Sequence, residues 1–347
     1  MITKLLQEHE IAEAAALLRR GEPVGMPTET VYGLACDASN PEAVQKVFAA
    51  KGRPADNPLI VHIQDIAEWR PLVREIPPLA MRLAERFWPG PLTIILPRTD
   101  RIPAVTAGGL DTVGVRFPAH PLAQAMIRES GLPLAAPSGN RSGSPSPTTS
   151  AHMLADMDGR IPAIVEGGAC ICGVESTVIA LDDSETVRVL RPGFVTPEQL
   201  QTIAKHVIVD SAVLAQVTAD TVVRSPGMKY KHYAPAAQVT LVEGSAEEFL
   251  QFMRGRQAEG VCAMVFDGDL AACERAGLRA AAYGDTDEAR ASSIFAMLRQ
   301  LDADGIRHVY IRAPRTDGVG LAVYNRLIRA AGYDIVHASD QITEVST

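Results

Sequence analysis

Three polar runs interrupt the apolar pattern of the first two-thirds of the chain, and together they carry the residue types that bind anions. The first is Pro27-Thr28-Glu29-Thr30-Val31-Tyr32-Gly33-Leu34. Its hydroxyls at 28, 30 and 32 can donate to a carboxylate or phosphate, and Gly33 admits close backbone approach. A capped turn accounts for the same residues. The second is Lys51-Gly52-Arg53-Pro54-Ala55-Asp56-Asn57-Pro58. A lysine and an arginine one glycine apart can converge on a single anion, as point charge and planar fork. Lys51 could equally complement a helix dipole, although Pro54 and Pro58 around Asn57 fit that plain reading less well. The third, Pro137-Ser138-Gly139-Asn140-Arg141-Ser142-Gly143-Ser144-Pro145-Ser146, offers amides and hydroxyls suited to a phosphate chain or an adenine edge, or reads as a surface loop. It lacks the spacing of a Walker loop.

Other groups extend this inventory. Gly173-Val174-Glu175-Ser176-Thr177 places a hydroxyl pair before an apolar run, and Arg191-Pro192-Gly193 ends the next one. Arg116 lies inside the apolar segment Val113–Phe117, where a charge requires an anion. His62 lies inside another, where a hydrogen-bonded core histidine is the default. Cations, hydroxyls and amides dominate, without a Ser/His/Asp or Cys/His arrangement. Such a set holds an anionic, multi-phosphate substrate instead of attacking one.

The elements that must position these groups follow from periodicity. Short apolar runs alternate with helical segments to about residue 210, the signature of an α/β domain. A helix is expected over Pro41–Ala50, with Asn40 as cap, Pro41 at the first position and Gly52 beyond its end. Leu59–Ile63, Thr93–Leu96 and Val113–Phe117 read as strands, interleaved with helices near 78–87 and 121–130, the latter ending at Gly131. From 211 to 238 the pattern gives way to a linker containing Lys229-Tyr230-Lys231-His232-Tyr233, a donor-rich string that suggests docking, against the alternative of passive packing. After Val239 a second alternation has strands near 239–242, 261–266 and 308–312. A helix over Thr286–Asp304 should start at a capping-box-like Asp285 and Glu288. A smaller Rossmann-like three-layer domain is expected there, with no glycine fingerprint for a dinucleotide.

Composition sets outer bounds. With 347 residues, two cores are expected, and 47% hydrophobic against 21% charged residues excludes a disordered chain. The net charge of −8, shared by both portions, excludes a broad cationic face for duplex nucleic acid but leaves room for a small basic cleft. Five cysteines give no disulfide framework, and Cys170 and Cys172 are too close for a zinc knuckle. With no leader or membrane span expected, a cytoplasmic location with reduced thiols follows.

In this order and spacing, Pro27–Leu34, Lys51-x-Arg53, Ser138-x-Asn140, Gly173–Thr177 and the linker Ser225–Pro235 resemble the YrdC-like threonylcarbamoyl-AMP synthases in their long two-domain form, over essentially the whole chain. The resemblance implies a YrdC-like twisted mixed-sheet catalytic domain over 1–210 with a concave basic cleft, a linker over 211–238 that could act as a lid, and a Rossmann-like domain over 239–347. It implies a nucleotidyltransferase making L-threonylcarbamoyl-AMP and pyrophosphate from L-threonine, bicarbonate or CO2 and ATP, the first step of threonylcarbamoyladenosine modification of tRNA. Thr30, His62, Arg116 and Ser176 would hold threonine or its carbamate. Lys51, Arg53, Asn57, Thr112, Ser138, Asn140, Ser146 and Arg191 would bind ATP, with Lys51 and Arg53 stabilising charge and Mg2+ arriving on the nucleotide. Neither a protein-bound metal nor an organic cofactor is implied. Lys229, Tyr230, His232 and Tyr233 would form the lid. The product would pass to the tRNA-threonylcarbamoyl transferase machinery, with weak or no direct tRNA binding. The alternatives are an RNA-binding module, disfavoured by the acidic charge, and a carbamoyl-transfer domain of the hydrogenase-maturation kind, whose zinc-finger cysteines and acylphosphatase-like segment have no counterpart here.

Overall fold

The computed structural model describes residues 2–216 and 233–342. These fall into two compact units: one holds the residues up to 216 apart from Gly143–Pro145, and the other holds those three and the residues from 233 onward.

The strands of the first unit are β1 (Lys4–Leu6), β2 (Val24–Met26), β3 (Gly33–Asp37), β4 (Ile60–His62), β5 (Leu92–Pro97), β6 (Thr112–Arg116), β7 (Leu134–Ala135), β8 (Ala163–Val165), β9 (Thr177–Leu181), β10 (Thr186–Arg191) and β11 (His206–Val209). They form one mixed sheet in the order β1-β8-β2-β3-β7-β4-β6-β5-β9-β10-β11. Its helices are α1 (Ile11–Arg19), α2 (Pro41–Lys51), α3 (Pro78–Phe87), α4 (Pro121–Ser130), α5 (Ser150–Met157) and α6 (Pro197–Leu200).

Strand alternation assigns the two faces. Val61, Ile94, Val113, Val115, Ile179 and Val189 point into the main core, with Val44, Val47 and Phe48 of α2 and Leu79 and Leu83 of α3. On the other face, α1 and α4 bury Leu18, Met126 and Ile127 against Val24, Met26, Ala35 and Leu134. That cover lies at the β8-β2-β3-β7 end. Along β4-β6-β5-β9-β10 the same face carries the small cluster Ile60, Ile95, Val178, Ala180 and Leu190. This half of the sheet is the floor on which the polar motifs gather.

Local chemistry fixes α2, which delivers the second motif to that floor. The Asn40 side chain accepts from the amides of Glu42 and Ala43, Pro41 occupies the first position, and Gly52 ends the helix in the left-handed region at φ 62°. The helix runs one residue beyond the expected Ala50, so Lys51 belongs to its last turn.

The second unit is a parallel sheet of β12 (Gln238–Glu243), β13 (Val261–Val265), β14 (Ala280–Ala282), β15 (His308–Arg312) and β16 (Ile335–His337), ordered β14-β13-β15-β12-β16. The helices α7 (Ala246–Met253), α8 (Asp267–Arg275), α9 (Asp287–Ala303), α10 (Gly320–Ala330) and α11 (Ala338–Ile342) connect or follow the strands. The cap of α9 corrects the sequence reading: Thr286 takes the Ala289 amide at 3.1 Å, whereas Asp285 turns away to the Gly268 amide at 2.8 Å. Among the described residues no helix is long and apolar enough to cross a membrane.

Asn40→Ala removes the acceptor for two otherwise orphaned amides, and a loss of about 1 kcal/mol in urea denaturation is expected. An unchanged midpoint would contradict the role assigned to this cap.

Candidate functional site

The period of two places His62, Thr93, Thr112, Gly114 and Arg116 on the floor face, because their strand neighbours point into the main core. Register then brings the charged end together: His62 pairs with Arg116 across β4 and β6, and Thr93 with Val178 across β5 and β9. Thr112 lines a narrow hollow with Ile60, Thr93 and Val178 further along the same face. A Cβ at Gly114 would press on Thr93 at 3.0 Å, so glycine keeps this part of the floor low.

Arg116 is buried, and it meets an anion from its own chain. Its Nη2 lies 2.7 Å from Glu29, its Nη1 donates to Thr30 at 2.9 Å, and its Nε to the Gly90 carbonyl at 3.3 Å. The pair is close but poorly aligned: among the described residues neither Glu29 carboxylate oxygen nor Arg116 Nη2 has a hydrogen-bond partner of good geometry. Burial alone would raise the Glu29 carboxyl, but the charge and donors of Arg116 outweigh it and hold the group below its ordinary value. His62 is pushed down to about 3, by burial first and then by Arg116. The ring is therefore neutral at physiological pH, with Nδ1 3.1 Å from the Ile60 carbonyl.

Lys51 makes contacts that its spacing did not reveal. Its ammonium donates to the carbonyls of Ser138 at 2.5 Å and Asn140 at 2.6 Å, while its own carbonyl accepts the Ser142 amide at 2.9 Å. Lys51 thus organises the third motif. Burial, then the charge of Arg53, push its pKa well below the usual amine range. The two cations are neighbours as expected, but the Lys51 tip is turned to the loop. Arg53 leans on the carbonyls of Asn57 and Pro58 at 3.5 and 3.4 Å, so this turn is stabilised by the cation it presents.

The first and third motifs join directly. Gly33 bridges Ser138, Leu34 donates to Pro137 and Gly139 to Tyr32. On the far side Ser176 is a hub: its hydroxyl meets Thr93 at 2.8 Å, and its carbonyl takes Arg191 Nε and Nη2 at 3.1 and 3.0 Å. Ser146 donates to Glu175 at 2.5 Å. Gly193 is required here, because a Cβ would sit 2.4 Å from the Thr177 amide.

Arg116, Thr30 and His62 therefore gather at one end of the floor, beside Ser176, just before β9, and Arg191, at the end of β10. Lys51, Arg53, Asn57, Ser138 and Asn140 form a second group at the end of α2. Tyr233 is buried in the second unit, its ring 5.2 Å from that of Phe295. Lys229, Tyr230 and His232 lie outside the described residues. Sequence reasoning assigned no role to Glu29, Glu175 or Thr93. The first two stood inside quoted motifs, and Thr93 was the polar residue of an apolar strand on the same face as Arg116.

Fold and site define a two-unit α/β protein that presents buried cations and hydroxyls on one half of a mixed sheet. Residues 16–193 match the Sua5, YciO and YrdC family model, described as Telomere recombination, and residues 195–332 match that of the threonylcarbamoyl-AMP synthase C-terminal domain. Among the relatives, a threonylcarbamoyl-AMP synthase of Bacillus subtilis is 46% identical over 335 residues, covering 94% of each chain. One of Pyrococcus abyssi is 42% identical over 339 residues, covering 96% of this chain and 98% of the relative. The structure of P. abyssi Sua5 complexed with L-threonine superposes with a TM-score of 0.88 at 40% identity, covering 97% of this chain and 99% of that one. The chain belongs to the threonylcarbamoyl-AMP synthase family, as the motifs implied.

Two outcomes check the electrostatics. Glu29→Gln leaves the Arg116 charge buried without its counter-ion and should cost about 3 kcal/mol, part of which a second change, Arg116→Met, restores; strictly additive losses in urea denaturation would contradict the pairing. His62 titrates lower in the folded than in the unfolded chain, so its contribution to stability is complete above the unfolded value and is lost as pH falls towards about 3. Wild type should therefore lose more stability than His62→Gln between about pH 7 and about pH 5. Equal losses would refute a buried neutral ring.

Proposed function

We propose that this chain joins L-threonine, CO2 or bicarbonate, and ATP into L-threonylcarbamoyl-AMP, releasing pyrophosphate. The observation that carries the reading is Arg116, a buried guanidinium offset by one misaligned carboxylate, with Thr30, His62 and Ser176 nearby. The complex of P. abyssi Sua5 with L-threonine supports an amino acid as the occupant. Arg116 Nη2 would donate to the threonine carboxylate, with Glu29 setting the charge balance. Thr30 and Ser176 would orient the amine and hydroxyl, and His62 would supply a neutral polar wall.

The threonine amine is its own nucleophile. It adds to the carbon of CO2 and loses a proton to form the carbamate, one of whose oxygens then attacks the α-phosphorus of ATP. The bond from that phosphorus to the α–β bridging oxygen breaks, and pyrophosphate leaves with its electron pair. Catalysis then rests on alignment and on neutralising the leaving group. Arg53 and Arg191 would face phosphate oxygens, together with Asn57, Thr112 and Ser146. Lys51 would act mainly by holding the Ser138–Asn140 amides in place, and Mg2+ would enter on the nucleotide. The product would feed the transfer of threonylcarbamoyl to tRNA in the cytoplasm, a setting that the free cysteines among the described residues suit.

Pyrophosphate release from ATP that requires both threonine and bicarbonate is the direct test. Arg116→Lys should raise KM for threonine about a hundredfold, the upper scale of a lost charge-assisted hydrogen bond, while Lys51→Ala and Arg53→Ala should lower kcat. Release independent of threonine would overturn the reaction, and wild-type kinetics in all three variants would overturn the site.

A further inference from the structure

The second unit contains a cavity that the reaction above does not use. In its sheet β15 and β12 are neighbours, yet their connections diverge: β12 continues into α7, which packs with α8 and α11, and β15 into α10, which packs with α9. Open α/β sheets bind ligands at such a switch point, outside the carboxyl ends of the strands. Here that position holds a cavity of about 440 Å³, lined by Glu243 at the end of β12 and Gly244 after it, and by Arg312 at the end of β15 and Pro314, Arg315 and Thr316 after it. This volume accommodates a small metabolite, within the usual range of about 300–1,000 Å³.

Its donors suit an anion. The guanidiniums of Arg290 and Arg312 lie 3.7 and 4.3 Å from the centre of the Phe266 ring, which holds both at the cavity wall. Their carboxylate partners, Asp287 and Asp269, do not line the cavity. Arg312 Nε has no hydrogen-bond partner among the described residues. Arg315 is exposed and pairs with Asp317. Glu243, the one carboxylate in the lining, is already engaged by the Tyr324 hydroxyl at 2.5 Å and by His337 Nδ1 at 2.9 Å. The balance of whole charges is close to even, so selectivity comes from which groups face inward.

The loop after β15 shapes one wall of the crevice. It turns through Gly318 at φ 52° into α10, whose cap, Val319, provides no side-chain acceptor. Gly320 is needed, since a Cβ there would meet the Arg315 carbonyl at 2.6 Å and the Asp287 carboxylate at 3.1 Å. The amides of Leu321, Ala322 and Val323 are taken by the carbonyls of Asp317 and Val319, so the anion contacts fall to the arginines and to the loop Pro314–Thr316 that lines the crevice.

We propose that this crevice is a second ligand site, which takes the phosphoryl group of a small metabolite on Arg312, Arg315 and the loop Pro314–Thr316. Hydrogen exchange of the full chain reads it directly, with pyrophosphate, inorganic phosphate and AMP as probes and adenosine as the phosphate-free control. Residues 313–321 should gain protection with at least one phosphate-bearing probe and none with adenosine, and the order among the three identifies the favoured source. Arg312→Gln and Arg315→Gln should each raise the concentration for half-protection at least tenfold. Arg315 is 76% exposed, so its variant tests the site even if the loss of the Arg312–Asp269 pair unfolds the other. Lys51→Met should leave this protection intact. No protection with any phosphate probe overturns the proposal. So does protection that survives Arg315→Gln and disappears with Lys51→Met, because it would report only the first unit's site.

Discussion

A guanidinium buried in the middle of a sheet constrains everything around it. Arg116 cannot stand there uncompensated, since an unpaired charge in such a setting costs several kcal/mol. Glu29 supplies the counter-charge from the first motif, and Thr30 and the Gly90 carbonyl take two of the remaining donors. The compensation is incomplete in direction, with Nη2 close to its partner but poorly aligned. A cation that is offset by one carboxylate yet retains donor capacity is suited to a second, transient carboxylate. Burial first, and then the Arg116 charge, keep His62 neutral, so the pocket does not accumulate positive charge on that ring.

The second constraint is mechanical. Lys51, buried at the end of α2, ties two carbonyls of the Ser138–Asn140 segment to that helix, and the Gly33–Ser138 bridge ties the same segment to β3. A loop that composition describes as flexible is thereby fixed from two sides, with its neighbouring amides oriented in advance. Fixed dipoles of this kind stabilise charge without reorganising during the reaction. The close approach at Gly193 does the equivalent work between β9 and β10, where Arg191 is set by the Ser176 carbonyl.

Much of this was legible in the residues. The α2 signals Asn40, Pro41 and Gly52 act locally, and the helix formed where they placed it, one residue longer. The strands carrying His62, Thr93 and Arg116 were visible as apolar runs, and the anomaly of a charge among Val113–Phe117 pointed to a buried anion. That the anion would be Glu29 was hidden, because a pairing across 87 positions is set by sheet order and not by spacing. The loop contacts of Lys51 were hidden for a related reason: sequence displays its charge, whereas those contacts depend on a loop that returns from β7. The α9 cap was a contest between adjacent residues, Asp285 and Thr286, decided when Asp285 found the distant Gly268 amide. The crevice of the second unit was invisible for the same reason as the Arg116 pair, since β12 and β15 become neighbours only through crossovers.

Arg116 as the seat of the substrate carboxylate is the claim on which the proposed chemistry turns, and a crystal structure of this chain with L-threonine tests it most directly. The prediction is a threonine carboxylate within hydrogen-bond distance of Arg116 Nη2, with its amine and hydroxyl towards Thr30 and Ser176. A carboxylate bound instead at Arg53 or Arg191, with the Arg116–Glu29 pair untouched, would contradict it.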